Sequence, residues 1–155
     1  MRSWQTAYRG IMPDSLLAVQ NATEREAKWR ETLAKMSGQM LVAVDPDDQL
    51  VGFTYLARAQ DLPEDRPYDG RVYALHVRPD RKRQGIGSQL HRAALLMLDE
   101  MGCRSAIIWT LEDLAPSRRF YEKRGGALVR SKLGDFGGMK IVEVAYGWED
   151  LANAN

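Results

Sequence analysis

The chain has 155 residues, 45% hydrophobic and 28% charged, which suits one domain with a single core and excludes a disordered or fibrous chain. A formal charge of +1 argues against a dedicated nucleic-acid binder, and the one cysteine, Cys103, excludes an internal disulfide and makes a reducing cytoplasm the default location. No apolar run approaches the roughly 20 residues that span a bilayer, and no secretory signal is visible.

Residues 3–17 read as a helix broken near Gly10 and Pro13, with Trp4 and Tyr8 one turn apart on one face. A second helix is predicted over 21–36, where Thr23 and Glu26 form a capping box and Gly38 offers a stop. The apolar runs 40–44 and 50–57 flank Asp45-Pro46-Asp47-Asp48, which predicts a hairpin. Residues 60–70 hold two prolines, four acidic residues and no apolar rhythm, and read as a surface loop. Residues 71–78 return to strand. Ile86, Leu90, Ala93, Ala94, Met97, Leu98 and Met101 then recur at the spacing of a buried helical stripe, with Gly102 as the stop. A strand over 105–110 follows, so strand, helix and strand should form a right-handed parallel unit. A short helix around 117–124 ends at Gly125-Gly126. Residues 128–133 and 139–146 then pair across 134–138, and the last five residues are expected to fray.

Residues 78–90, RPDRKRQGIGSQL, are the most informative stretch. A strand, a basic glycine-rich loop and a helix in that order form a cradle for a phosphate-bearing ligand. First-turn amides have no internal partners, and the helix dipole adds partial positive charge. Gly85 and Gly87 remove Cβ atoms that would hold a phosphate off the backbone, and Arg81, Lys82 and Arg83 add full charges. An ordinary strand-to-helix turn with a solvated charge run is the competing reading. A second stretch, PSRRFYEKRGGAL at 116–128, lies about 30 residues on.

Together the two stretches resemble the GCN5-related N-acetyltransferases, the GNAT superfamily. Lys82 through Gly87, K-R-Q-G-I-G, fits that family's acetyl-CoA motif Q/R-x-x-G-x-G/A with Lys in the first slot. Ser117, Phe120, Tyr121, Glu122 and Gly125 match its later pattern N-x-x-A-x-x-F-Y-E-x-x-G. SWQTAYRGIMPDSLL at 3–17 and VEVAYGW at 142–148 look like one bacterial branch, so the resemblance covers nearly the whole chain.

The resemblance implies one α/β domain over 1–155: a mixed central sheet with helices on both faces, and splayed central parallel strands that bind acetyl-CoA. It implies an N-acetyltransferase that passes the acetyl group directly to a primary amine of a small-molecule or peptide acceptor, with no metal, nucleic acid or membrane involved. GNAT domains usually open with a strand. Here only Met1 and Arg2 precede Ser3, so a missing first strand is expected, and the exposed sheet edge would favour a homodimer.

By the same resemblance, the backbone of Leu75, His76 and Val77 bonds the pantetheine arm and polarises the acetyl carbonyl. The amides of Arg83, Gln84, Gly85, Ile86, Gly87 and Ser88 take the pyrophosphate beside Lys82, and Ser117 and Phe120 complete the coenzyme site. Tyr121 stands in the slot of the general acid, where a phenol with a pKa near 10 can protonate a departing thiolate. A core aromatic is its competing reading. The slot of a pantetheine-binding asparagine falls at Leu114 or Ala115, which cannot donate through a side chain.

The glutamate base of relatives would fall at Arg71 or near Trp109, and neither accepts a proton. His76, Glu112, Asp113 and Glu143 remain. His76 alternates with Ala74 and Val72 on one strand face and reads better as structural; Glu143 or Glu112 is the preferred base or amine-binding group, with Asp113 and a water relay left open. Trp4, Tyr8 and Arg9 would border the acceptor pocket. The alternative function is a non-catalytic acyl-CoA-binding sensor that keeps the cradle and lacks a base.

Overall fold

The computed structural model describes residues 22–35, 37–59 and 62–154. The expectations for the first helix, for Trp4, Tyr8 and Arg9 and for the missing first strand lie outside the described residues.

Helix α1 (Ala22–Lys35) is already helical at Ala22, so Thr23 sits inside it and is not the cap. It is polar on most sides and carries Glu26–Arg30 and Glu31–Lys35 pairs one turn apart. It reaches the sheet through Trp29, whose ring meets Phe53 edge-on at 5.6 Å. Strands β1 (Gln39–Val44) and β2 (Leu50–Arg58) form the expected hairpin. Asp45 shapes its turn by accepting from the main-chain N–H groups of Asp47 and Gln49 at 3.0 and 2.9 Å.

β3 (Gly70–Val77) leads through a 3-10 turn into α2 (Ile86–Glu100), and β4 (Ala106–Leu111) returns parallel to β3. Helix α2 buries Ala94, Leu95 and Leu98 in one core with Val72, Ile108, Tyr146 and Trp148, and buries Leu90 over Gly52 of β2. Each such leucine contributes about 2 kcal/mol of burial. His91 and Leu95 join the buried stripe, whereas Ala93 and Met97 are only half-buried. The helix stops at Gly102, at φ 82°, with Cys103 N–H returning to Leu98 O at 2.9 Å.

α3 (Ala115–Lys123) precedes the hairpin of β5 (Ala127–Phe136) and β6 (Met139–Trp148). These strands run longer than expected. The turn is Gly137-Gly138 alone, at φ 59° and 86°, the pair a two-residue hairpin turn requires, so residues 134–136 stay in strand. The six strands lie in the order β1-β2-β3-β4-β6-β5, and only β3 and β4 are parallel. Helices α2 and α3 cover one face and α1 packs on the other.

Two loop expectations are corrected. The stretch read as a surface loop buries Asp65, at 0% exposure, and Tyr68. The C-terminal residues do not all fray, because Leu151 is buried and donates its N–H to Arg104 O at 3.0 Å.

Candidate functional site

β3 and β4 share three rungs, Gly70–Ala106, Arg71–Ile107 and Val72–Ile108, and then part. β3 stays paired with β2 along its length, and β4 with β6. Arg78 N donates to Val51 O at 2.8 Å, which fixes the phase of the β2–β3 ladder. Alternation then directs the main-chain groups of Ala74 and His76 toward β2 and those of Leu75 and Val77 toward the fork. The Thr54 hydroxyl donates to Ala74 O at 2.8 Å and holds that phase. A strand edge facing a gap of this kind can take an extended ligand as an added strand.

A bulge at Tyr73 changes which side chains share a face. Tyr55 pairs with Ala74 and the next residue, Leu56, with Val72, so Tyr73 is the extra residue. Val72 therefore joins the core under α2, while His76 faces the other way and stacks on Phe53 at 5.3 Å. The expectation that Val72, Ala74 and His76 share one face is overturned by that single inserted residue.

The fork opens into a cleft of about 790 Å³. Its lining includes Leu75, His76, Val77, Lys82, Arg83, Gly85, Gly87, Ser88, Ser117, Phe120 and Tyr121 from the sequence expectations. Leu114 lines it too, as an apolar wall, and so do Tyr73 and Trp109 on the two diverging strands. Gln84 does not line it. The Ile86 side chain turns instead toward β2, where a Cβ on Gly52 would meet it at 3.4 Å. Glu112 and Glu143 lie outside the lining as well: Glu112 is exposed, and Glu143 stands 3.8 Å from Lys132.

At the mouth of the cleft, the first bond of α2 runs from Gln89 N to Gly85 O at 3.0 Å, and no side chain caps the helix. The N–H groups of Ile86, Gly87 and Ser88 thus have no intrahelical acceptor. Arg83 and Gly85 both take positive φ, 61° and 82°, curling the loop so that successive amides converge. Lys82, Arg83, Arg119, Lys123 and Arg124 line the cleft and give it positive charge. Arg124 also lies over the Phe120 ring at 5.1 Å and donates to Ser88 Oγ, joining α3 to the start of α2. Its place was not legible in the sequence, because it follows the helix and reaches the site only through the fold.

Tyr121 is buried under the far wall. Its ring packs against Phe120, Tyr146, His91 and Trp148 at centroid distances of 5.4 to 6.3 Å. His91 is 2% exposed and its Nε2 has no hydrogen-bond partner among the described residues. Burial, with Arg124 nearby, pulls its pKa down to about 4. His76 is likewise pulled to about 4, by burial first and then by Arg25 and Lys82. Both imidazoles are neutral at pH 7.

On the opposite face lies a polar cluster that the sequence reading missed. Asp65 accepts from Arg71 Nη1 and from Trp109 Nε1, each at 2.8 Å. Arg71 lies over the Tyr73 ring at 4.6 Å, and Lys132 over the Trp109 ring at 4.3 Å. Among the described residues no group of three or more His, Cys, Asp or Glu could hold a metal ion, and no helix is long and apolar enough to cross a membrane.

Comparison with known proteins places this geometry in context. The profile of the acetyltransferase (GNAT) family matches residues 3–126. The uncharacterized N-acetyltransferase YuaI of Bacillus subtilis is 31% identical over 150 residues, 97% of this chain and 83% of that protein. A mycothiol acetyltransferase of Sanguibacter keddieii is 35% identical over 89 residues, 57% of this chain and 28% of that protein. The crystal structure of the PaiA N-acetyltransferase of Thermoplasma acidophilum, in complex with coenzyme A, has the same fold. It superposes with a TM-score of 0.63 at 19% identity, covering 92% of this chain and 85% of that one.

Proposed function

This chain belongs to the acetyltransferase (GNAT) family, and from that premise we propose that it carries the acetyl group of acetyl-CoA directly to a primary amine, with Tyr121 as the general acid. The observation that supports this most is the fork after Val72–Ile108, which joins a strand edge, a convergent set of helix amides and a buried phenol in one cleft. The residues suit the coenzyme. The first-turn amides of α2, with Lys82, Arg83 and Arg124, match a diphosphate. The inner edge of β3 at Leu75 and Val77 matches the amide-bearing arm.

Acetyl-CoA supplies the activated acyl group and the thiol that leaves. The chain aligns it along β3, excludes water with Leu114, Phe120 and Tyr121, and delivers the phenolic proton of Tyr121 to the sulfur as the C–N bond forms and the C–S bond breaks, the phenolate regaining the proton that the amide nitrogen sheds through water. Holding amine and thioester together supplies much of the acceleration. The amine must arrive neutral or lose its proton to water. A histidine with a pKa of about 4, as His76 has, is too weak to store that proton at pH 7. Neither Glu143 nor Glu112 lines the cleft, so we assign neither as the base.

The lack of a lining carboxylate among the described residues favours a second reading, a sensor that binds acyl-CoA without turnover. Thiol release from acetyl-CoA, screened over small-molecule and peptide amines alongside calorimetry with coenzyme A, separates the two. Release with at least one amine supports the transferase, and tight binding with no release supports the sensor. We also place the protein in the cytoplasm. A homodimer is favoured by exposed Val42, Val44 and Leu50 near the β1 edge, and light scattering tests it.

A further inference from the structure

We propose that Asp65 is a positioning residue for the transfer, holding Arg71 of β3 and Trp109 of β4 across the fork and so fixing the two lips between which the acceptor amine enters. This role rests on the acetyl-transfer reading above.

A carboxylate at 0% exposure is expensive unless both oxygens are satisfied. Here Oδ2 accepts from Arg71 Nη1 and Oδ1 from Trp109 Nε1, each at 2.8 Å. The loop is bent to deliver it. Asp65 N donates to Leu62 O and Tyr68 N to Asp65 O, both at 2.9 Å, and Arg130 donates to Arg66 O at 2.6 Å.

The two donors straddle the point of divergence. Arg71 lies in the middle of the three shared rungs, and Trp109 is the first residue of β4 beyond the last. Past Val72–Ile108 the ladder between β3 and β4 ends, so the bridge through Asp65 is the tie that the described residues offer there. Arg71 extends the tie to the other lip by lying over Tyr73 at 4.6 Å. The bridge also stands on the informative side of the sheet. Val72, Ile108 and Tyr121 belong to the core beneath α2 and α3, whereas Trp109 packs on the opposite face with Tyr68, Ile107, Ala145 and Val129, and it is along this face that the acceptor is proposed to enter. An apolar trio would hold the sheet at least as well, whereas a carboxylate with two directed donors fixes their separation.

The test compares the whole chain with Asp65→Asn and Trp109→Phe. Acetyl-CoA is the donor, and methylamine, phenethylamine, spermidine, glucosamine and a lysine-bearing peptide are the acceptors. Asp65→Asn should raise the amine KM about tenfold and Trp109→Phe about threefold, with the acetyl-CoA KM and the coenzyme A Kd within about 1.5-fold of wild type. Should Asp65→Asn fail to fold, Trp109→Phe, which loses one N–H from a ring at the cleft, carries the test. An equal loss in both KM values would make the bridge a general prop of the sheet and overturn the proposal, as would an unchanged amine KM in every variant that folds. Wild type that binds coenzyme A yet releases no thiol with any amine overturns the acetyl-transfer reading, and this role with it.

Discussion

Val72 and Ile108 form the last rung that β3 and β4 share, and one residue later Tyr73 and Trp109 stand on opposite sides of the cleft. The gap is not a frayed end. β3 continues its ladder with β2 as far as Gly52–Val77, and β4 continues with β6 as far as Leu111–Glu143. Each diverging strand is therefore held from its outer side, and the inner edges are left for a third extended segment. The bulge at Tyr73 lies at the same level as the fork and adds the local twist that turns β3 away.

Replacing Tyr121 with Phe removes only the phenolic oxygen and keeps the ring among His91, Phe120, Tyr146 and Trp148. We expect kcat to fall by about 100-fold, the lower range for loss of a general acid, with coenzyme A affinity within about twofold. Thiol-release kinetics and calorimetry check both. Undiminished turnover would remove Tyr121 from the chemistry.

Gly85 takes φ 82° with nothing within 4 Å of where a Cβ would stand. Gly85→Ala therefore meets no clash, only the left-handed backbone penalty of about 1 kcal/mol, and Tm should drop by about 3 °C. If the curled loop aims its amides at the diphosphate, coenzyme A affinity should also fall by about tenfold, more than the small loss of stability alone would produce. Thermal melts with and without coenzyme A separate the two effects. An unchanged Kd would mean that the curl is incidental to binding.

What was legible in the sequence had a local signature. The Ile86 to Leu98 periodicity, the stop at Gly102 and the K-R-Q-G-I-G loop each follow from neighbouring residues, and the structure brings most of the expected coenzyme contacts to one cleft. What was missed depends on distance. Asp65 lies in a proline- and acid-rich stretch, and its partners are 6 and 44 residues away. Only closure of the sheet shows it to be buried. The faces of Val72 and His76 were misread because a strict period of two cannot reveal an inserted residue at Tyr73. His91 stands outside the predicted apolar stripe, and its burial is imposed by Phe120 and Trp148 arriving from elsewhere.

Five cations line the cleft, namely Lys82, Arg83, Arg119, Lys123 and Arg124. Coenzyme A affinity should therefore weaken with added salt, as the screening length falls from about 10 Å at 0.1 M to about 3 Å at 1 M. Arg124→Ala should raise Kd several-fold, on the order of 1 kcal/mol, and flatten the salt dependence, because it removes both a charge and the tie to Ser88 Oγ. Calorimetry in a series of chloride concentrations checks this. A salt-independent Kd would place the anion elsewhere.

Acid stability should be governed by His76 and His91. Both have folded pKa values near 4 against 6.5 for a free imidazole, chiefly through burial. Below pH 6.5 the unfolded chain binds protons that the folded chain refuses, so stability is fully present above that pH and is lost as pH falls toward 4. By pH 5 each histidine should have removed about 2 kcal/mol, a large share of the about 5–15 kcal/mol that holds a domain together. Urea melts at pH 7.5, 6 and 5 would show the decline. His91→Leu should roughly halve the slope, because it deletes one titrating group, and it also removes a buried Nε2 that has no partner among the described residues. A variant that loses stability in acid as steeply as wild type would mean that His91 takes up its proton without unfolding the chain.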